Sequence, residues 1–159
     1  MGIVLYRVDE RLIHGQVTVG WGHHLQPRRY LVVDDELPDS DWERELLQLG
    51  TPPGVEVEFF TVADARMEIP GWREAEEPSV LLTRDLDHMS RLAEGGTLSG
   101  EEVNLGGIHY RPGRTEVLSY LFLDAADRDR VRALGADGVT VSAQDLPRSP
   151  KAHAGRLLG

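Results

Sequence analysis

The chain has 159 residues, a formal net charge of −10 and no cysteine. That length buries one substantial core but falls short of two comfortable domains. The acidic balance argues against nonspecific nucleic-acid or anionic-membrane binding, and the lack of cysteine excludes disulfides, thiolate catalysis and cysteine metal sites. Charge is unevenly spread. Residues 1–33 hold four arginines against two acids, a local +2, which leaves −12 on the rest. No run approaches the roughly 18 apolar residues of a membrane span, and no basic segment leads into a long apolar one, so a cytoplasmic protein is expected.

In chain order, the β-rich run Ile3–Val8 predicts a first strand and Gln16–Leu25 a first helix. A strand at Tyr30–Asp34 follows, then a helix at Ser40–Leu49 with acids in its first turn and Trp42, Leu46 and Leu49 on one face. Pro52-Pro53-Gly54 marks a turn into a strand at Val55–Phe60. A helix at Val62–Glu68 is expected to stop at the turn Ile69-Pro70-Gly71, with residues 70–78 as a connection. Val80–Thr83 is a strand, Leu86–Glu94 a helix ended by Gly95-Gly96, and Glu102–Leu105 a strand. Beyond the turn at Pro112-Gly113 comes a strand at Glu116–Leu121. Asp124 is an N-cap for a helix at Ala125–Leu134, with Val131 and Leu134 facing inward and Gly135 as the stop. Gly138–Val141 is a last strand, and the polar stretch 143–159, punctuated by Pro147 and Pro150, is expected to lie over the surface or fray. Strands alternating with helices argue for one α/β domain over residues 1–159, a mainly parallel sheet with helices on both faces.

Chemistry concentrates in Arg7 to Val17, where the first strand hands over to the first helix. In an open α/β sheet, ligands bind at that end of the strands, and a helix N-terminus there suits a phosphate. His14 has the character of a nucleophile for phosphorus. Arg7 and Arg11 are permanent cations whose forks match phosphoryl oxygens, and Asp9 can orient the ring. The backbone N–H groups of Gly15, Gln16 and Val17 can add a cradle, and no metal or other cofactor is required. Leu12 and Ile13 read as core anchors that fix the loop. By spacing alone, a histidine at a helix start also serves as a capping or packing residue, and an Arg–Asp pair as a surface ion pair. His109, Arg111 and Arg114 form a second polar cluster after another strand, which either shares the rim with His14 and binds phosphate or is an ordinary solvated turn.

The string Asp9-Glu10-Arg11-Leu12-Ile13-His14-Gly15-Gln16-Val17 resembles the signature of the mannose/sorbose-family IIB component of the bacterial sugar phosphotransferase system. Trp21, Val32-Val33-Asp34-Asp35-Glu36, Pro52-Pro53-Gly54-Val55, Asn104-Leu105-Gly106-Gly107 and Arg111-Pro112-Gly113-Arg114-Thr115 resemble further segments of that family, in order along nearly the whole chain. The resemblance implies a doubly wound, mostly parallel α/β sheet with one antiparallel strand near an edge. It also implies that His14 is phosphorylated on Nδ1 by the phosphohistidine of a IIA domain and passes the group to a sugar held by membrane IIC and IID subunits. That is the reaction of a protein-Nπ-phosphohistidine–sugar phosphotransferase, peripherally associated with the membrane subunits. Arg7, Arg11 and Asp9 match residues lining the family's active loop. Glu10 and Arg114 depart from the pattern conservatively, and Ile108-His109-Tyr110 is bulkier than the pattern suggests.

Two rival readings are set against this one. A regulatory phospho-acceptor would use the same His14 chemistry without coupling to transport. A nucleotide-binding module would use Gly20-x-Gly22, but the third glycine of that fingerprint is replaced by Leu25 and the pair lies inside a helix, where it permits close packing. His23 and His24 read as a solvated helix end, His88 and His153 as surface residues, and Glu74–Glu77 as a solvated loop. The sugar and the oligomeric state, a homo-oligomer included, stay open.

Overall fold

A computed structural model describes residues 2–159; Met1 lies outside the described residues. The strands are β1 (Ile3–Val8), β2 (Arg29–Val33), β3 (Glu56–Phe60), β4 (Ser79–Thr83), β5 (Glu102–Leu105), β6 (Thr115–Leu118), β7 (Leu121–Leu123), β8 (Thr140–Ala143) and β9 (Ala152–His153). The helices are α1, α2 (Asp41–Leu49), α3 (Val62–Glu74), α4 (Leu86–Ala93), α5 (Ala125–Ala136) and α6 (Ala154–Leu157). Helix α1 opens as a π-helical stretch, Gln16–Trp21, and continues as α-helix over Gly22–Leu25.

Seven strands form one sheet in the order β3-β2-β4-β1-β5-β8-β9. All pair in parallel except β9, which runs antiparallel to β8 at the edge. From β1 the chain crosses to β2 and β3 on one side, returns to insert β4 between β2 and β1, and continues on the other side with β5 and β8, so the C-terminal ends of β1, β4 and β5 lie side by side at the centre of one rim, where a doubly wound sheet binds its ligands. Central strands buried on both faces read as continuous apolar runs; Tyr30 to Val33 of β2 and all of β4 are buried. One face packs Tyr6, Val8, Leu31, Leu81 and Val103 under α3, α4 and α5. The other packs Val32, Val80 and Leu82 under Leu12, Ile13 and Val17 at the start of α1. Gly22 of α1 lies against Tyr30 of β2: a Cβ there would stand 3.2 Å from the Tyr30 hydroxyl.

Five expectations are corrected. Helix α3 runs through Pro70 and Gly71 to Glu74, because Ile69 and Trp72 are buried and hold the last turns onto the sheet. The strand expected at Glu116–Leu121 is a hairpin, β6 and β7, that pairs with itself and not with the main sheet. Helix α5 passes Gly135 and ends at Asp137, with Gly138 taking the left-handed φ of +83°. The stretch 143–159 supplies β9 and α6, and Leu157 is buried in the core. His88 is not a free surface residue; its ring is mostly enclosed by Asp85 and by the β2–α2 turn at Asp34 and Asp35. Other readings hold: Asp124 caps α5 in a reciprocal box with Asp127, and Val131 and Leu134 face the core. The stripe Trp42, Leu46 and Leu49 lies on α2 but faces solvent.

Candidate active site

Strand β1 sets Arg7 in register with Leu82 of β4 and Asn104 of β5. Its side chain is fully buried, a costly place for a charge unless every donor is met. All five guanidinium N–H bonds have acceptors. Nη1 donates to Asn104 Oδ1 and the Gln144 carbonyl, Nη2 to Asp9 Oδ2 at 3.1 Å and the Asp145 carbonyl, and Nε to Asp9 Oδ2 at 3.3 Å. The Trp21 ring lies 5.4 Å from the guanidinium carbon, within cation–π range, and the indole N–H donates to the same Asp145 carbonyl at 2.8 Å. Gly106 makes room: a Cβ there would overlap the Arg7 guanidinium.

Asp9 is likewise fully buried. Its N–H donates to Thr83 at the end of β4. Oδ2 lies 2.9 Å from His14 Nε2, and Oδ1 accepts the Arg11 N–H at 3.1 Å. Burial works to raise the Asp9 pKa. The His14 hydrogen bond, the Arg7 charge and the Arg11 N–H outweigh it and hold the carboxyl below its usual range. For Arg7, burial is the largest effect and lowers the pKa, opposed by Asp9. An ionised carboxylate only accepts, so the proton between Asp9 and His14 sits on Nε2, and in the neutral ring Nδ1 carries the lone pair.

The loop between them is a tight turn. Leu12 N–H donates to the Asp9 carbonyl at 3.0 Å, and Leu12 adopts φ +57°, a left-handed conformation that costs a non-glycine residue about 1–2 kcal/mol. Burial of Leu12 and Ile13 beside Val17, Val32 and Leu82 holds it there. Helix α1 begins directly after: the His14 carbonyl accepts the Val17 and Thr18 N–H groups. The first N–H groups of α1, at Gly15 and Gln16, therefore remain at its open end, whereas Val17 N–H is used internally.

Arg11 and Arg111 are exposed. The loop after β5 is fastened to the active loop: Glu10 N–H donates to the Gly107 carbonyl at 2.9 Å, and the Glu10 carboxylate pairs with Arg114 Nη1 at 2.8 Å and His109 Nδ1 at 3.0 Å. Arg114 is held from its other side by Asp127. The structure thus brings His14, Asp9, Arg7 and Arg11 together and sets the 107–114 loop on the same rim. Arg7 is enclosed and fully bonded, not free to grip a ligand as expected, while Arg11 stands free at the surface. Sequence reasoning missed the residues behind Arg7. In the sequence Asn104 stands out only as part of a motif, and Gln144 and Asp145 contribute backbone carbonyls, which carry no side-chain signature.

The model of the PTS system sorbose subfamily IIB component matches residues 3–159. The chain is 33% identical to the PTS system mannose-specific EIIAB component of Escherichia coli over 95% of its own length, but spans only 46% of that protein. It is 30% identical to the N-acetylgalactosamine-specific phosphotransferase enzyme IIB component 1 of Escherichia coli, covering 94% of each. Among solved structures, manxB from Thermoanaerobacter tengcongensis superposes with a TM-score of 0.86 at 31% identity, covering 98% of this chain and 94% of that one. The IIBSor domain of the sorbose permease from Klebsiella pneumoniae gives 0.86 at 26% identity, covering 99% and 96%. A motif, a sheet order and a family model that agree along nearly the whole chain make this protein a IIB component of the sorbose family of the phosphotransferase system.

Proposed function

We propose that the chain accepts a phosphoryl group on His14 Nδ1 from the phosphohistidine of a IIA domain and transfers it to a sugar held by membrane IIC and IID subunits. The observation that carries this is the 2.9 Å contact of His14 Nε2 with a buried carboxylate, which leaves Nδ1 as the nucleophile of the neutral ring. Nδ1 attacks phosphorus in line, the bond from the donor's ring nitrogen to phosphorus breaks, and the donor ring keeps the released electron pair. Asp9 stabilises the positive charge that develops on the His14 ring. Arg11 and the Gly15 and Gln16 N–H groups are assigned to the equatorial phosphoryl oxygens, whose charge such donors stabilise. Arg111 and Arg114 line the neighbouring loop, Arg114 as a tie to Glu10 and Arg111 as an exposed cation for the incoming partner. Arg7 is reassigned from phosphoryl clamp to positioning residue, because its donors are consumed in holding Asp9 and the Gln144–Asp145 backbone.

His14 makes one side-chain hydrogen bond, to Asp9, and its ring is mostly enclosed at the rim, so His14→Ala should still fold, with a lowered unfolding midpoint, yet take no label from a phosphorylated IIA domain. Wild-type labelling of that variant sinks the assignment.

A further inference from the structure

The sheet face under α1 is unevenly filled. Its apolar cluster draws on β1, β2, β3 and β4. Register with Arg7 puts Asn104 of β5 on the same face, and Asn104 is itself in register with Ser142 of β8. By the two-residue period of a strand, Glu102 and Gln144 fall on that face too; the Gln144 N–H extends the ladder to the Leu105 carbonyl. These four polar residues line a cleft of about 230 Å³, together with Trp21 of α1 and Lys151 from the segment after β8.

Two amides of the cleft have half of their hydrogen-bonding capacity unmet. A guanidinium only donates, so Asn104 must turn Oδ1 to Arg7 Nη1, and its Nδ2 is left to the cleft. Gln144 spends Nε2 on the Pro147 and Ser149 carbonyls, at 3.0 and 2.8 Å, which leaves Oε1 as an acceptor. Among the described residues neither Asn104 Nδ2 nor Gln144 Oε1 has a partner, although the two residues are only 4% and 8% exposed. The charges, by contrast, are met. Lys151 Nζ lies 3.2 Å from Glu102 Oε2, and Ser142 Oγ donates to the same oxygen at 2.7 Å. Glu101 pairs with Arg73 at 2.8 Å, and Arg7 with Asp9. An enclosed donor and acceptor without partners favour a polar ligand, and a charge-balanced cleft disfavours an ionic one.

We propose that this cleft binds a neutral, hydroxyl-rich molecule of monosaccharide size or less, with one hydroxyl accepting from Asn104 Nδ2 and another donating to Gln144 Oε1. The cavity is smaller than the roughly 300–1,000 Å³ of a drug-sized site, and Trp21 offers apolar surface to the C–H groups of such a molecule. The site is independent of which residue accepts phosphate.

The test is an NMR titration of the isotope-labelled chain with D-mannose, glycerol and a phosphate ester of mannose, following the side-chain amides of Asn104 and Gln144 and the Trp21 indole. Saturable shifts at these three side chains are expected, with a millimolar Kd. Tighter binding of mannose than of glycerol assigns a sugar ring; the reverse order assigns an open-chain polyol. The phosphate ester should bind about ten-fold or more weakly than mannose, since the cleft offers its charge no unpaired cation. Gln144→Leu, which removes the acceptor and keeps the backbone carbonyl that holds Arg7, should weaken binding several-fold. Absence of saturable shifts at tens of millimolar mannose and glycerol overturns the inference. So does tighter binding of the phosphate ester, or an affinity unchanged in folded Gln144→Leu.

Discussion

At the scale of single residues, the site is organised from behind. Arg7 and Asp9 are both fully enclosed, and the energetic weight of such a pair lies in what is left when one member goes. Arg7→Ala would leave the Asp9 carboxylate without its cation, and the Gln144 carbonyl and Asn104 Oδ1 without their donor, in a dry interior, so it should cost about 3–5 kcal/mol, read from the urea midpoint. It should also slow His14 labelling in whatever fraction stays folded, because Asp9 loses the partner that fixes it. An unchanged midpoint rules out the enclosed pair. His14, Arg11 and Asp9 were legible in the sequence because a nucleophile, a cation and an acid cluster at a strand-to-helix junction. The division of labour between the two arginines was not legible, since both are the same residue type four positions apart. Only strand register decides that Arg7 points inward to Asn104 while Arg11 follows the turn into solvent.

At the scale of elements, local signals worked where they were unopposed and failed where burial outbid them. Strands β1 and β5 coincide with the apolar runs that predict them, and Asp124 caps α5 with its side chain as expected. Pro70 is the counter-case: proline in a helix interior loses a hydrogen bond and costs about 3 kcal/mol relative to alanine, which makes a turn the natural reading. The burial of Ile69 and Trp72, the latter edge-on to Phe60 with ring centroids 4.8 Å apart, carries α3 past it. Pro70→Ala should therefore stabilise the protein by about 1–2 kcal/mol once the larger entropy of the unfolded chain is counted, seen as a higher unfolding midpoint. A lower midpoint would mean the proline shapes the helix. The β6–β7 hairpin escaped for the opposite reason: its connection, Ser119-Tyr120, lacks the Gly or Asn that announces a two-residue turn.

At the scale of the molecule, titrating groups bracket the stability from both sides. Asp9, Asp35, Asp85, Glu102 and Asp124 all have folded pKa values below their ordinary ones. Their contribution is present above roughly pH 4 and is lost as the pH falls through the folded values. His88 is the reverse case. Its hydrogen bond to Asp85 is the largest effect and raises its pKa above 6.5, against the opposing pull of burial. Its contribution is complete below 6.5 and is lost as the pH rises through the folded value. Thermal unfolding should thus show a maximum in mildly acidic solution, with a steep acid limb and a shallower alkaline one. His88→Gln should flatten the alkaline limb and leave the acid limb in place; an alkaline limb unaltered by that change removes His88 as its source.

Composition, periodicity and one long motif were enough, by themselves, to determine the α/β class and the family and to single out His14 as the candidate acceptor. Each of these is written in contiguous residues, through strand and helix periods, caps and the Asp9–Val17 string. The tertiary structure alone decided which ring nitrogen of His14 is free, which arginine is structural, and that the loop at His109 belongs to the same rim. Those facts depend on pairs far apart in the chain: Arg7 with Asn104 and the Gln144–Asp145 backbone, Glu10 with His109 and Arg114. Backbone carbonyls and strand register hold them together, and neither leaves a mark in the residue types of a single sequence.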